Sequence, residues 1–388
     1  MISELKKLTL QIPFYKNYEW DGAWENIPIL DKKTVHSNYQ SLLSPRKNED
    51  LIFNRTSGSS GIILTIPWIQ KESMFALKRM WDFRRKFDVN LSDLYVTCHA
   101  HYYLGSRILN NKIIVNKNCH SFSKLHMLED DVRYYLNYIS DLKPKWFLLQ
   151  PSVAYTLGSY IREYDINLPS LKYIELTGEM LTNPICNTLK EMFPNVSILN
   201  NYGMQEFYCI GYGENSINRL KVLEDNVYVE VVDDNNQILE NGVDGNIVVT
   251  GLINSFFPLV RYRTGDKGRI SRYNDGLYIE ITESRSNDLF VYNDKCYDAS
   301  MFFNIVEQLN QKNCNINQFQ FTYEKNELWC EFFSSQSELS EDQIGQFVNN
   351  YLREKFDIRL HKIHINWNKD FFVGYDSNKR KYFINKDN

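Results

Sequence analysis

The stretch RTSGSSGIILTIPW, residues 55–68, gathers threonine, serine and glycine before the chain turns apolar. A Gly/Ser/Thr-rich turn presents backbone N–H groups and hydroxyls to anions, most often phosphate. The spacing excludes several known sites. No Gly-Lys-Ser/Thr follows, as a Walker loop requires, and the third glycine of a dinucleotide fingerprint is missing. Nor is this a G-x-S-x-G nucleophile elbow. Read alone, the stretch is equally well a surface loop. Other stretches keep it company. NNYGMQE (200–206) places a glutamate just past a Tyr-Gly turn, and RYRTGD (261–266) ends a turn in an aspartate. ESRSND (283–288) supplies an arginine and SNKRKYF (377–383) a lysine. Phosphate loop, two carboxylates, arginine and lysine in that order form a set that chance hardly explains.

The elements that must position these residues follow from periodicity. QKESMFALKRMWDFRRKFD (70–88) has helical spacing, and DLYVTCHAHYY follows as a strand. Residues 131–166 read helix, strand, helix. LKYIELTG is a strand ending in Gly178, TNPICNTLKEMF a helix, and VSILNNYG a strand ending at another glycine. This alternation predicts an α/β fold with a largely parallel sheet. After about residue 217, strands broken by Asp/Asn/Gly turns predict a β-rich subdomain reaching to 284, including the hairpin GRISRYNDGLYIEI. Residues 1–50 read as loops and short helices. Beyond 285 a small α+β unit is expected: a helix near 299–311, the hairpin QFQFTYEKNELWCEFF, the helix SEDQIGQFVNNYLREKF and the strand HKIHINW. The domains are thus 1–284 and 285–388.

Bulk properties narrow the function classes. The net charge is −4, against a general nucleic-acid binder. No run approaches the roughly 20 apolar residues of a membrane span, and the N-terminus lacks the apolar core of a secretion signal. The seven cysteines are scattered, without a C-x-x-C pair, which suggests neither a zinc site nor a disulfide framework and favours a reducing cytoplasm.

With these residues in view, the chain resembles the adenylate-forming superfamily of acyl-CoA synthetases, peptide-synthetase adenylation domains and luciferases. It looks most like the phenylacetate–CoA ligase branch. The resemblance is carried by IPFYKN, IPILDKK, TSGSSG, LQPSVAYTLGSYI, LKYIELTGEMLT, NNYGMQE, GNIVVTGLINSFFPLVRYRTGD and SNKRKYFI, and PLVRYRTGD is its most specific element. It implies a large N-terminal α/β domain of mixed sheets, with the β-rich subdomain, and a small mobile C-terminal lid.

The resemblance also implies roles. Thr56, Ser57, Gly58, Ser59, Ser60 and Gly61 would wrap the β- and γ-phosphates of ATP. Ile62 and Ile63 stand where the family often has Lys and Pro, which removes one cation. Gly178, Glu179 and Met180 would line the adenine pocket. Tyr202 would stack on adenine, its plainer role being core packing, and Gly203 would permit the turn. Glu206 would bind Mg²⁺ through hard oxygen. Gln205 replaces the usual Thr or Ser and can still hydrogen-bond phosphate. Asp266 would accept both ribose hydroxyls, which a carboxylate's two oxygens allow. Arg285 would assist at ribose or phosphate. Lys379 would reach the carboxylate and α-phosphate, though Lys381 competes for the part and Asn378 replaces a usual Gly. Asn287 or Asp288 would be the hinge. His99 and His101 lack an evident third metal ligand.

The activity expected is ATP-dependent, AMP-forming activation of a carboxylic acid, then transfer to the thiol of CoA or of a carrier protein. Amide or ester formation on a small molecule or sugar is the rival within enzymes. A nucleotide-binding scaffold without activity is the rival outside them, favoured by the substituted positions and disfavoured by Glu206 and Asp266. A flat aryl acid is expected over a long fatty acid. Aromatic residues make up 14% of the chain, and Tyr, His and Phe interleave with polar residues around His101, Tyr102 and Tyr103. No nucleic-acid or membrane partner is expected.

Overall fold

The computed structural model describes residues 2–18, 23–47, 49–56, 64–99, 112–123, 129–181, 183–213, 219–283, 289–293, 295–298, 301–316, 318–333, 337–368 and 383–387. Two compact units emerge, each from two stretches of chain: residues 1–90 with 199–284, and 91–198 with 285–388. One of the cuts falls at 284/285; the others divide the stretch that precedes it. No helix among the described residues is long and apolar enough to cross a membrane.

The first unit is built on an antiparallel array. In spatial order its strands are Val227–Val232, Gly245–Gly251, Tyr262–Tyr273, Gly276–Glu283, Leu220–Val222, Tyr208–Tyr212 and, from residue 199 on, Ser197–Met204. The hairpin between Tyr262–Tyr273 and Gly276–Glu283 closes on the pair Tyr273 and Gly276, as the Asn-Asp-Gly turn predicts. One face of these strands is alternately apolar, with Val227, Val229, Ile247, Val249, Leu277 and Ile279 buried. It forms a common core with N-terminal residues, among them Leu5, Ile12, Tyr15 and Leu30.

IPFYKN and IPILDKK act here as anchors. The Tyr15 hydroxyl donates to the Pro258 carbonyl at 2.8 Å and accepts from the Val260 N–H at 3.2 Å. Burial pushes this phenol's pKa well above its ordinary value. Leu30 exchanges backbone hydrogen bonds with Arg261 and Arg263, both at 2.8 Å. A short hairpin, Leu51–Arg55 paired with Thr65–Ile69, and the helix Gln70–Lys86 complete the unit.

The second unit holds the parallel part. Cys119–Ser123, Tyr95–His99, Trp146–Leu149 and Tyr173–Thr177 are parallel neighbours in that order, and Ile113–Asn116 closes the edge antiparallel. The helices Glu129–Leu142, Pro151–Glu163 and Asn183–Met192 link or follow these strands. The helices Pro151–Glu163 and Asn183–Met192 approach closely at Gly158, where a Cβ would stand 2.7 Å from the Met192 sulfur.

The C-terminal stretch adds a four-stranded sheet in the order Lys362–Trp367, Glu327–Phe333, Gln318–Glu324, Phe383–Asn385. Its central hairpin turns on Lys325 and Asn326, both with positive φ, the backbone a two-residue hairpin loop demands. The helix Met301–Asn310 lays Phe302 on Phe321 and Phe383, with ring centroids 4.5 and 4.8 Å apart. The helix Glu341–Phe356 starts from a full capping box between Ser340 and Gln343.

Candidate active site

NNYGMQE and RYRTGD meet in the first unit. The strand Ser197–Met204 pairs with Tyr208–Tyr212, and its register shifts between Tyr202 and Gly203. At that shift the Tyr208 carbonyl oxygen would stand 2.5 Å from any Cβ on residue 203, so only glycine fits. A turn follows, closed by the Phe207 N–H on the Met204 carbonyl at 3.1 Å. It leaves Gln205 exposed and Glu206 buried.

On the facing motif, Tyr262, Thr264 and Asp266 alternate inward along one strand and are all buried. Gly265 takes φ +86°. The Thr264 hydroxyl accepts from the Asp266 N–H and donates to the Ile247 carbonyl, both at 3.1 Å.

Two phenols then cross between the motifs. The Tyr202 hydroxyl donates to Asp266 Oδ2 at 2.8 Å, and the Tyr262 hydroxyl donates to Glu206 Oε1 at 3.1 Å. Each motif gives a phenol and receives one on its carboxylate. The result is a pair of buried carboxylates that each accept a bond from a neutral donor, and those bonds do not neutralise their charge. A carboxylate retains further lone pairs after accepting one bond. Such groups suit a cation or the hydroxyls of a polyol.

Arg261, the first residue of RYRTGD, has a different part, which its sequence context does not reveal. It is 1% exposed and has φ +50°. Its guanidinium pairs with Glu230 at 2.6 Å and donates to the carbonyls of Glu25 and Ile27 at 2.9 and 2.7 Å. The Trp24 indole N–H donates to the other oxygen of Glu230. A buried cation here ties residues 24–27 to the site strand.

The glycine–serine stretch is framed by the Leu51–Arg55 hairpin, which the sequence reading does not anticipate. Thr56 is buried. Its N–H donates to the Leu64 carbonyl and its hydroxyl accepts from the Leu64 N–H, both at 2.9 Å. The Thr56 side chain therefore closes the base of the segment. Ser57, Gly58, Ser59, Ser60 and Gly61 lie outside the described residues, as do Ile62, Ile63, Arg285, the hinge candidates Asn287 and Asp288, Asn378, Lys379, Lys381, and the aromatic stretch His101–Tyr103.

In the second unit, Gly178 ends the strand Tyr173–Thr177 with φ +84°. Glu179 Oε2 accepts from the Ser152 N–H and Oε1 from the Ser152 hydroxyl, both at 3.0 Å. Its carboxylate thus serves an unpaired donor in the first turn of the helix Pro151–Glu163 and faces the positive end of that helix. Met180 is half-buried beside it. These three residues sit at the carboxyl end of a parallel strand, where open α/β sheets bind ligands.

Comparison with known proteins identifies the class. The fold matches 2-hydroxyisobutyryl-CoA ligase, solved in the postadenylation state, with a TM-score of 0.73 at 16% identity over 99% of this chain and 88% of that one. A model of the family described as AMP-binding enzyme matches residues 32–255, and the chain belongs to that family. Among curated proteins it is similar to a D-alanine–D-alanyl carrier protein ligase of Lactiplantibacillus plantarum, 31% identical over 138 residues. That stretch is 29% of this chain and 27% of the relative. It is also similar to a phenylacetate-coenzyme A ligase of Thermus thermophilus, 32% identical over 134 residues, 33% of this chain and 30% of the relative. The chain spans less than a third of the length of the curated relatives it matches.

Proposed function

We propose that the chain is an ATP-dependent, AMP-forming carboxylic acid ligase. The observation that carries this reading is the reciprocal exchange of phenol–carboxylate bonds between NNYGMQE and RYRTGD, in a member of the AMP-binding enzyme family. In the first half reaction an oxygen of the substrate carboxylate attacks the α-phosphorus of ATP. The bond to the β-phosphate oxygen breaks, and pyrophosphate leaves from an acyl-adenylate. In the second, a thiol sulfur attacks the acyl carbon, its proton is lost, and AMP departs.

Asp266 would hold the ribose hydroxyls, and the Tyr202 ring would lie against adenine. Thr56 would act through the loop it closes, and Gly178, Glu179 and Met180 would shape the adenine pocket. Gln205, exposed in its turn, would meet phosphate. Lys379 and Arg285 would supply positive charge at the carboxylate, phosphates or ribose, and residues 285–388 would form the mobile lid, hinged at Asn287 or Asp288. Glu206 would hold Mg²⁺. Among the described residues no cluster of three His, Cys, Asp or Glu side chains could cage a metal. A single buried carboxylate fits an ion held chiefly by phosphates and water. When bound, that ion would offset charge on the phosphates.

The acid would be flat and mainly apolar, an aryl acid in preference to a long fatty acid. The acceptor would be CoA or a carrier-protein thiol, and the two curated relatives name one of each. Scattered cysteines support a cytoplasmic home. The test is ATP–pyrophosphate exchange across a panel of benzoate-, phenylacetate-, alkanoate- and amino-acid-type substrates. Exchange with an aryl acid above all others is expected. Turnover of a medium-chain fatty acid or an aliphatic amino acid well above every aryl acid would overturn the aryl assignment. Nucleotide binding without exchange on any acid would favour a scaffold. Lys379→Ala should cripple exchange yet spare thioester formation from pre-made acyl-adenylate, because its charge acts in the first transition state. Equal loss of both halves would remove Lys379 from that role.

A further inference from the structure

We propose that Gln150 reads the base of the nucleotide, its side-chain carbonyl accepting a hydrogen bond from the amino group of adenine. The proposal rests on the reading above that Gly178, Glu179 and Met180 shape the adenine pocket, and it names the side chain that selects the base there.

Place, backbone and side chain each contribute. Gln150 directly follows the strand Trp146–Leu149, whose last residue pairs with Leu176 on the parallel neighbour Tyr173–Thr177. Gln150 and Gly178 therefore leave the sheet at the same edge, the carboxyl end, where open α/β sheets bind ligands. They lie side by side, since a Cβ on Gly178 would stand 3.7 Å from the Gln150 Cγ. The backbone there is held. Gln150 has φ −79° and ψ 150°, the extended form that a following proline imposes. Its carbonyl accepts from the Ala154 N–H at 2.9 Å. The side chain, by contrast, has no structural duty. Gln150 stands at the N-cap of the helix Pro151–Glu163, yet its side chain makes no capping bond. The residue is half-buried, and its Oε1 is buried and accepts no hydrogen bond among the described residues. Buried polar atoms nearly always have a partner, and an exception calls for a reason. The terminal torsion of a glutamine is broad and roughly two-fold, so a half turn exchanges the two ends of this amide.

The ligand chemistry follows. Adenine joined to its ribose carries one group that can donate from nitrogen, the amino group; its ring nitrogens only accept. An amide carbonyl without a donor, set at the edge of an adenine pocket, has that amino group as its partner. The amide N–H can meet the ring nitrogen beside it, as in the paired contacts glutamine makes to adenine elsewhere. Removing the amide should therefore weaken binding of an aminopurine nucleotide and leave a purine nucleotide without the amino group nearly untouched.

Titration calorimetry of the full chain with AMP and with purine riboside 5′-monophosphate, which lacks the amino group, tests this without knowledge of the acid. The wild type should bind AMP about five- to tenfold more tightly, the size of one neutral hydrogen bond. Gln150→Met, of similar length but without the amide, should bind the two nucleotides alike. Gln150→Leu should do the same, so the test does not hang on the folding of one variant. Both should bind purine riboside 5′-monophosphate as the wild type does. Photolabelling of the wild type with 8-azido-AMP, followed by peptide mapping, locates the base independently, and label is expected on the peptide that carries Gly178, Glu179 and Met180. Label there, with no preference for AMP in the wild type or with the preference intact in either variant, overturns the proposal and leaves the adenine pocket in place. Label confined to other peptides, or no nucleotide binding at all, overturns the reading itself and the proposal with it.

Discussion

Thr177-Gly178-Glu179 and Thr264-Gly265-Asp266 share a pattern, a threonine and a left-handed glycine before an acid. The glycines have nearly the same backbone, φ +84° and +86°. The acids serve different ends. Both oxygens of Glu179 take hydrogen bonds from Ser152 and finish a helix terminus. Asp266 instead takes a neutral phenol from a strand 64 residues away in sequence. Local sequence sets the turn; the element facing the turn sets the use of the charge. A helix end draws a carboxylate into structural service, whereas the Tyr202 phenol brings Asp266 a neutral donor from the facing motif.

The hardest test of this contrast uses a charge wholly committed to structure. Arg261→Ala would leave Glu230 buried without its cation and should cost about 3–5 kcal/mol of stability. Denaturant unfolding measures it, and a loss below about 1 kcal/mol would mean that the N-terminal tether does not depend on this ion pair. Asp266→Ala is expected to act on chemistry instead. Removing charge-assisted bonds to the ribose should cost about 2–4 kcal/mol of transition-state stabilisation, a fall of some thirty- to a thousandfold in ATP–pyrophosphate exchange. Near wild-type exchange would place the ribose elsewhere.

Glu179→Ala should be milder. It removes a helix-terminal acceptor, a change of about 1–2 kcal/mol in unfolding free energy. Glu179→Gln, which still offers an oxygen to Ser152, should recover part of it. If Glu179→Ala instead abolished nucleotide binding with stability unchanged, the contrast between the two acids would fail. Least of all, Gln205→Thr at an exposed turn position should shift stability by no more than about 0.5 kcal/mol in a thermal melt.

What could be read from the sequence divides along the same line. The helices 70–86, 151–163 and 341–356 declare themselves by apolar spacing, and the hairpin at Asn274–Asp275 by its turn residues. The inward side of RYRTGD follows from alternation once a strand is granted. The flanking hairpin of the glycine–serine stretch was not legible, because LIFNR and TIPWI are too short and too mixed to show a period. Nor was the Glu179 contact, since Ser152 is 27 residues distant and pairs with it only after two parallel strands lie side by side. Tyr262 is hidden from the sequence for the same reason. A tyrosine in a strand looks like core until Glu206 is found at its hydroxyl. Arg261 would ordinarily be expected at the surface, and its burial is explained by Glu230 and by the carbonyls of residues 25 and 27, none of them near it in sequence.

The bond pair between Thr56 and Leu64 has a consequence in chain statistics. Thr56 and Leu64, which flank residues 57–63, are joined by two hydrogen bonds, so the two flanks are held together by the hairpin itself. The entropy of bringing those ends together is supplied by folding of the Leu51–Arg55 hairpin. Because that entropy grows only logarithmically with length, doubling the segment would add about 0.6 kcal/mol. Tolerance to insertion at this point is therefore set by the knot at its base rather than by the number of residues beyond it.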